Sequence, residues 1–267
     1  MVPTRYLIVN ADDFGQSPGV NRGIMQAHGR GIVTSASLMV RWPAAPEAAA
    51  YARDHPDLSL GLHVDLGERV FRAGEWVPIY TVVSLHDAAA IKAEITRQLE
   101  TFRQLMGRDP THFDSHQHVH LREPVHTLLS EVARQLEMPL RQCSSVVCYR
   151  GNFYGQTAEG SPLPDVISVD GLLCILESLP RGYTELGCHP AALCDLNTMY
   201  RHERVEELRV LCDARVHAAI KTMGIELCSF QRFHEGNREP FRSVWHRSAL
   251  ERTLQAGRVL RSIQQEE

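Results

Sequence analysis

The feature that most restricts what this chain can fold into is a repeated alternation of short apolar runs with helical stretches. Tyr6 to Val9, Thr34 to Val40, Leu58 to Val64, Thr111 to Ser115, Val166 to Val169, Tyr183 to Cys188 and Ile225 to Phe230 read as strands. Helical patterns over Val20 to Gly29, Pro46 to Asp54, Asp87 to Met106, Pro124 to Leu136 and Val205 to Met223 fall between them. Strands separated by helices run parallel, because a tight hairpin joins only antiparallel neighbours. The expected class is therefore α/β, and 267 residues suit one domain over 1–267, built as a barrel or incomplete (β/α) barrel of parallel strands. Periodicity alone does not separate that from an open doubly wound sheet. Gly67 to Tyr80 and Arg150 to Asp165 read as loops over a site. Residues 231–267 read as a packing extension, with a closing helix over Ala249 to Ile263.

Composition narrows the class further. With 43% hydrophobic residues the chain has ample material for a core, and its net charge of −4 argues against general nucleic-acid binding. No secretory leader is evident, and no apolar run approaches the length of about 18 residues that spans a bilayer. The seven cysteines include no C-x-x-C pair, which suits reduced thiols and a cytoplasmic location.

The chemistry-bearing residues gather where the apolar runs end. Asn10-Ala11-Asp12-Asp13-Phe14-Gly15 places two carboxylates directly after a strand, where burial is costly unless they are paired or bind a metal. An aspartate capping the following helix explains the same residues more plainly. Gly61-Leu62-His63-Val64-Asp65 ends another strand in a histidine, a weak signal by itself. Phe113-Asp114-Ser115-His116-Gln117-His118-Val119-His120 is stronger: in an extended segment its three histidines share one face with Asp114. Imidazole suits zinc and other divalent metals. Gly187-Cys188-His189-Pro190 ends a fourth strand, and Cys188 reads as a small buried residue rather than a nucleophile. In a parallel barrel the C-terminal strand ends meet at one mouth, so these groups form a catalytic layout together.

These blocks, with Gly31-Ile32-Val33-Thr34-Ser35 between the first two, resemble the YdjC/ChbG family of carbohydrate deacetylases, in order from about residue 5 to residue 235. The stretches 67–85 and 143–165 carry no such resemblance. The resemblance implies a distorted (β/α) barrel binding one divalent metal ion, Mg or Zn, through Asp13, His63 and His116. It implies Asp12 as general base and His189 as general acid. His118 and His120 match the motif and are expected to support the metal site or touch substrate; Gln117 stands where many relatives have another histidine. Homodimers are common in that family, and the expectation extends here.

The activity so implied is metal-dependent removal of an acetyl group from an N-acetylated sugar, a small-molecule substrate, with no nucleic acid or membrane as partner. Trp76 and Tyr154 are candidates to stack on sugar faces, and Arg69, Arg72 or Arg141 to bind hydroxyls or phosphate, each weighed against ordinary packing. Two other readings share these residues. Two histidines and a carboxylate also make the facial triad of non-haem iron oxygenases, although those usually need an all-β scaffold. A non-catalytic sugar- or metal-binding protein on the same fold would need neither Asp12 nor His189.

Overall fold

The computed structural model describes residues 4–233, so the expected closing helix over Ala249 to Ile263 lies outside the described residues. Strand β1 (Arg5–Phe14) is almost wholly buried and lies centrally, beside β2 (Ser35–Leu38), β8 (Gly182–Cys188) and β9 (Ile225–Leu227). Outward from it, β3 (Ser59–Val64) and β6 (Phe113–Ser115) extend one side, and β7 (Val147–Arg150) adds beyond β8. Every pairing in this seven-stranded sheet is parallel. Its order, β6-β3-β2-β1-β8-β7, leaves β6 and β7 as the ends of the path. The sheet is curled into a half-barrel, as expected for an incomplete (β/α) barrel.

One side chain shows how strongly it curls. The backbone N–H of Arg141 bonds to the carbonyl of Phe113 on β6, yet its guanidinium bonds to Glu185 on β8 at 2.7 Å. Those strands are four spacings apart in the sheet order, about 19 Å if the sheet were flat. No arginine reaches that far, so the bond requires the concave face to close on itself.

The helices have ordinary local causes. Helix α1 (Pro18–Arg30) starts at Ser17, whose hydroxyl accepts from the Val20 amide, with Pro18 in the first turn and His28 and Arg30 in the last. Helix α2 spans Ala45–Asp54. Helix α3 (Ala88–Met106) is capped by Asp87 and stopped by Gly107 in the left-handed region, φ 68°. It buries Ile91, Ile95, Phe102 and Met106, and also Glu94 and Gln98. Gln98 grips the backbone of Asp65 from both sides, accepting from its N–H and donating to its carbonyl. Helix α4 is Val125–Gln135 and α5 is Val169–Glu177. No helix among the described residues is long and apolar enough to cross a membrane.

Several sequence expectations change. Gly67 to Tyr80 is not a loop but an antiparallel hairpin, β4 (Gly67–Arg72) and β5 (Glu75–Thr81), turning at Ala73-Gly74, both at positive φ. Val166 to Val169 is not a strand, because Ser168 caps α5 there and accepts from the Gly171 amide. The expected long helix over Val205 to Met223 is two, α6 (His202–Leu211) and α7 (Ala214–Thr222), the second capped by Asp213. The three-histidine segment is not extended. Residues His116–Leu121 form a tight helical turn in which Gln117 and His118 both take φ near 51°, so the alternation that would align the imidazoles is lost.

Helix α1 meets the segment after β8 very closely. A Cβ placed on Gly23 would lie 2.4 Å from the Cα of Ala191, whereas one on Gly29 of the same helix would meet nothing within 4 Å. Gly23→Ala is therefore expected to cost about 1–3 kcal/mol by overpacking. Gly29→Ala should be neutral or stabilising by up to about 1 kcal/mol. Urea denaturation of the two variants checks this, and equal midpoints would contradict the packing.

Candidate metal and catalytic centre

The two adjacent carboxylates gain their geometry from a β-bulge. Ala11 pairs with Ala36 and Phe14 with Leu38, so Asp12 and Asp13 together oppose the single residue Ser37. Asp13 takes φ 68°, which breaks the strict in-and-out alternation of a strand. Both carboxylates are consequently buried near the mouth of the half-barrel, each with its own set of partners.

Asp13 divides its two oxygens. Oδ2 accepts from Arg204 on α6 at 2.6 Å. Oδ1 lies 3.3 Å from His63 Nε2 and 3.0 Å from His116 Nδ1. The other nitrogen of His63 is 2.8 Å from Asp114, whose second oxygen accepts from Ser37 at 2.7 Å. That bond fixes the ring and leaves Nε2 facing Asp13. A histidine held on one side by a carboxylate is the usual preparation for binding a metal on the other. His116 Nε2 is buried without a hydrogen-bond partner, 3.5 Å from Glu68. Ligand atoms of Asp13, His63 and His116 all lie within 4.8 Å of one another, so the three could hold one metal ion.

Asp12 belongs to a second network. Arg141 grips both its oxygens, at 2.6 and 2.7 Å, and also bonds Asp114 and Glu185 at 2.7 Å each. Asn10 donates to Asp12 Oδ1 at 2.9 Å. Burial pushes the Asp12 carboxyl up, but the guanidinium outweighs it and holds the group below the ordinary carboxylate range. Oδ2 lies 3.8 Å from His189 Nε2. Burial pushes that imidazole down to about 4, so it is neutral at physiological pH. Glu207 on α6 accepts from the His189 backbone N–H and from the Tyr200 hydroxyl, bracing the turn that carries His189.

The structure thus brings Asp12, Asp13, His63, His116 and His189 together, from β1, β3, the end of β6 and the end of β8. The remaining candidates are placed as follows. His120 is fully buried with Ser115 on one ring nitrogen and the Arg141 carbonyl near the other. The guanidinium of Arg141 is fully taken up by carboxylates. His118 sits 3.4 Å from the Tyr149 hydroxyl and is also held neutral by burial. Tyr154 stacks on Tyr200 at 4.1 Å, with the His189 ring edge-on to it at 5.5 Å. Trp76 is 42% exposed on β5 and has Phe71 as its ring neighbour. Cys188 is buried, its thiol pushed up by burial and by the Glu207 and Asp12 carboxylates, which suits a packed residue and not a nucleophile.

Sequence reasoning did not find Arg204, Glu207, Glu185 or Glu68. Arg204 and Glu207 are three apart on α6 and so share a face, but the surrounding His-Glu-Arg-Val-Glu-Glu reads as an ordinary charged helix. Glu68 lay inside the supposed loop. Gln117, passed over as a departure, donates to the Arg69 carbonyl and accepts from its amide, tying the hairpin that carries Glu68 to the His116 turn.

With this geometry in place, the comparisons with known proteins decide the family. Residues 6–222 match the model of the YdjC-like proteins. The chain belongs to the YdjC-like family. It is 34% identical over 252 residues to a protein of Geobacillus stearothermophilus named carbohydrate deacetylase, covering 86% of this chain and 99% of that one. It is 34% identical over 256 residues to a chitooligosaccharide deacetylase of Serratia marcescens, covering 85% and 98%. Among solved structures, one titled a putative cellobiose-phosphate cleavage protein from Enterococcus faecalis superposes with a TM-score of 0.69 at 27% identity, over 86% of this chain and 99% of that one.

The electrostatics of the YdjC-like centre give a pH test. Burial pushes His116 toward neutrality, but Asp13 and Glu68 outweigh it and carry the ring up to about 10. His63, between Asp114 and Asp13, is likewise raised well above the ordinary range. Without a cation, the stability from these charged imidazoles is full below their unfolded-state value of about 6.5. It is lost as pH rises through the folded values. In chelator, the melting temperature should therefore fall between pH 7 and pH 9. Saturating zinc should remove most of that fall, since a cation replaces the protons. Calorimetric scans that show the same pH profile with and without zinc would count against the metal site.

Proposed function

We propose that this chain hydrolyses the N-acetyl group of an acetylated carbohydrate, releasing acetate and an amino sugar. The observation that carries the reading is the adjacency of two sets of groups: a carboxylate oxygen between two imidazoles, and beside it a second carboxylate 3.8 Å from a third imidazole. The names of the curated relatives support the same reaction class, and their shared length with this chain supports the same extent of active site.

Asp13, His63 and His116 would hold one divalent cation. Two nitrogen donors suit zinc better than magnesium, which prefers an oxygen shell and keeps most of its waters. When bound, such an ion polarises the acetyl carbonyl and makes water more acidic. Asp12, held ionised and oriented by Arg141, takes a proton from the water that attacks the amide carbon. His189 is neutral in the free site, and its Nε2 lies 3.8 Å from Asp12, so one bridging water would relay the proton to it for delivery to the sugar nitrogen. The C–N bond then breaks with an amine, not an amide anion, as leaving group. Arg204 keeps Asp13 in place, and Glu207 does the same for the turn bearing His189. Tyr154, backed by the buried Tyr200, borders the acid, where a sugar face would lie.

Asp12→Asn should lower turnover on an acetylated sugar by about 10²–10⁴-fold while bound metal stays near the wild-type stoichiometry. His116→Ala should lower both. Acetate assays paired with elemental analysis distinguish the two. An Asp12→Asn protein with more than a third of wild-type turnover would remove the general-base assignment.

A further inference from the structure

Each imidazole of the candidate centre is backed by a carboxylate, and the two carboxylates come from very different places. Behind His63 is Asp114, 2.8 Å from Nδ1, which Ser37 and Arg141 fix inside the half-barrel. Behind His116 is Glu68, on the β4–β5 hairpin, with its Oε2 3.5 Å from Nε2. The other nitrogen of that ring, Nδ1, is the one beside Asp13, 3.0 Å from Oδ1. An imidazole that gives Nδ1 to a cation keeps its proton on Nε2. In His116 this atom is buried and has no hydrogen-bond partner among the described residues, and Glu68 is the carboxylate that faces it. A ring N–H sealed from water in this way needs an acceptor.

The hairpin is built to keep Glu68 in that place. Glu68 pairs with Tyr80 but Arg69 pairs with Pro78, so the register slips between them. A bulge of this kind re-aims a side chain. Gly67, just before Glu68, donates its N–H to Asp65 at 3.1 Å. It takes φ 142°, and a Cβ there would lie 2.9 Å from the Tyr80 carbonyl oxygen, so this close crossing calls for glycine. Arg69, just after Glu68, is clamped through its amide and carbonyl by the Gln117 side chain, at 2.9 and 2.7 Å. Gln117 neighbours His116 as Arg69 neighbours Glu68, so the clamp holds the two facing side chains at a set spacing. Glu68 is 4% exposed, and its Oε1 accepts from Thr198 at 2.5 Å, which leaves Oε2 for His116. Burying a carboxylate on a hairpin is costly unless it has a donor to face.

We propose that Glu68 is a positioning residue for the metal site: it accepts the Nε2 proton of His116 and so presents Nδ1 to the ion. The proposal rests on Asp13, His63 and His116 as the metal ligands. It gives them a partner from the stretch 67–85, which carries no resemblance to the YdjC/ChbG pattern. Losing such an outer partner typically lowers metal affinity by about 10–100-fold. The competing reading is a structural one, in which Glu68 only ties the hairpin to Thr198.

Cobalt(II) bound in place of zinc shifts the ring N–H protons of its histidine ligands far outside the main proton spectrum, so each can be followed by NMR. Two such protons are expected, His63 Nδ1–H on Asp114 and His116 Nε2–H on Glu68. In Glu68→Ala the second should exchange with water about tenfold faster or more, or vanish, while the first stays as it was. Glu68→Gln keeps the size of the side chain, so a truncated variant that does not fold does not decide the matter. It should bind zinc about tenfold more weakly in chelator competition, and Thr198→Val less than about threefold more weakly. Two ring protons that exchange as slowly in Glu68→Ala as in the native chain overturn the assignment. Thr198→Val weakening zinc as much as Glu68→Gln does so too. A several-fold change in the visible absorption of the cobalt protein would make Glu68 a ligand itself and likewise overturns it. A native chain that takes up neither cobalt nor zinc removes the metal reading and this proposal with it; uptake that ignores Glu68 removes the proposal alone.

Discussion

Arg141 is the interaction on which the rest of this molecule depends. A guanidinium sealed from water bonds carboxylates carried by β1, β6 and β8, and a flat sheet would hold β6 three and four strand spacings from the other two. Removing one partner from such a buried cluster typically costs about 3–5 kcal/mol, because the other charges are left without compensation. The same contacts that curl the sheet also aim the chemistry. Asp12 is fixed by two bonds to the guanidinium, and Asp114, fixed by a third, in turn fixes His63. Fold and site are here one electrostatic problem, solved by one side chain.

A second layer of charge control comes from outside the barrel. Helix α6 delivers Arg204 to Asp13 and Glu207 to the turn of His189, a single helical turn serving both halves of the centre. The β4–β5 hairpin delivers Glu68 against His116, and Gln117 ties that hairpin down. The buried carboxylates of the centre, Asp12, Asp114, Glu185 and Glu207, each accept a hydrogen bond from a fixed donor, whereas Asp13 Oδ1 faces only the two imidazoles. The carboxylates facing both imidazoles raise their pKa values, so without a metal ion they hold protons there. A carboxylate and two histidines so arranged are costly as a mere structural feature, a cost that the proposed bound cation would offset.

Much of the fold was legible along the chain. Alternation of apolar runs and amphipathic stretches gave parallel strands with crossover helices, and β1, β2, β3, β6 and β8 fall close to where the runs lie. What was misread follows from local geometry. In the hairpin over 67–81, β5 runs Trp-Val-Pro-Ile-Tyr without polar alternation and carries a proline, and β4 begins at a glycine, so the segment reads as a loop. The break between α6 and α7 is made by Asp213, a cap that looks like any surface aspartate. The helical turn at His116 needs two residues at positive φ, a conformation that neither Gln117 nor His118 advertises.

By itself the sequence determined which residue types stand at the ends of which strands, because burial of an apolar run followed by Asp or His is written in composition and order. Asp12, Asp13, His63, His116 and His189 were readable for that reason. Only the tertiary structure decided how their charges are balanced. Arg141, Glu185, Arg204, Glu207 and Glu68 come from elements distant in sequence, and a charged side chain on a helix or hairpin looks the same whether it ends in water or against a buried carboxylate. Through-space Coulomb energy at 2.6–2.8 Å sets that difference, and it leaves no trace in local pattern.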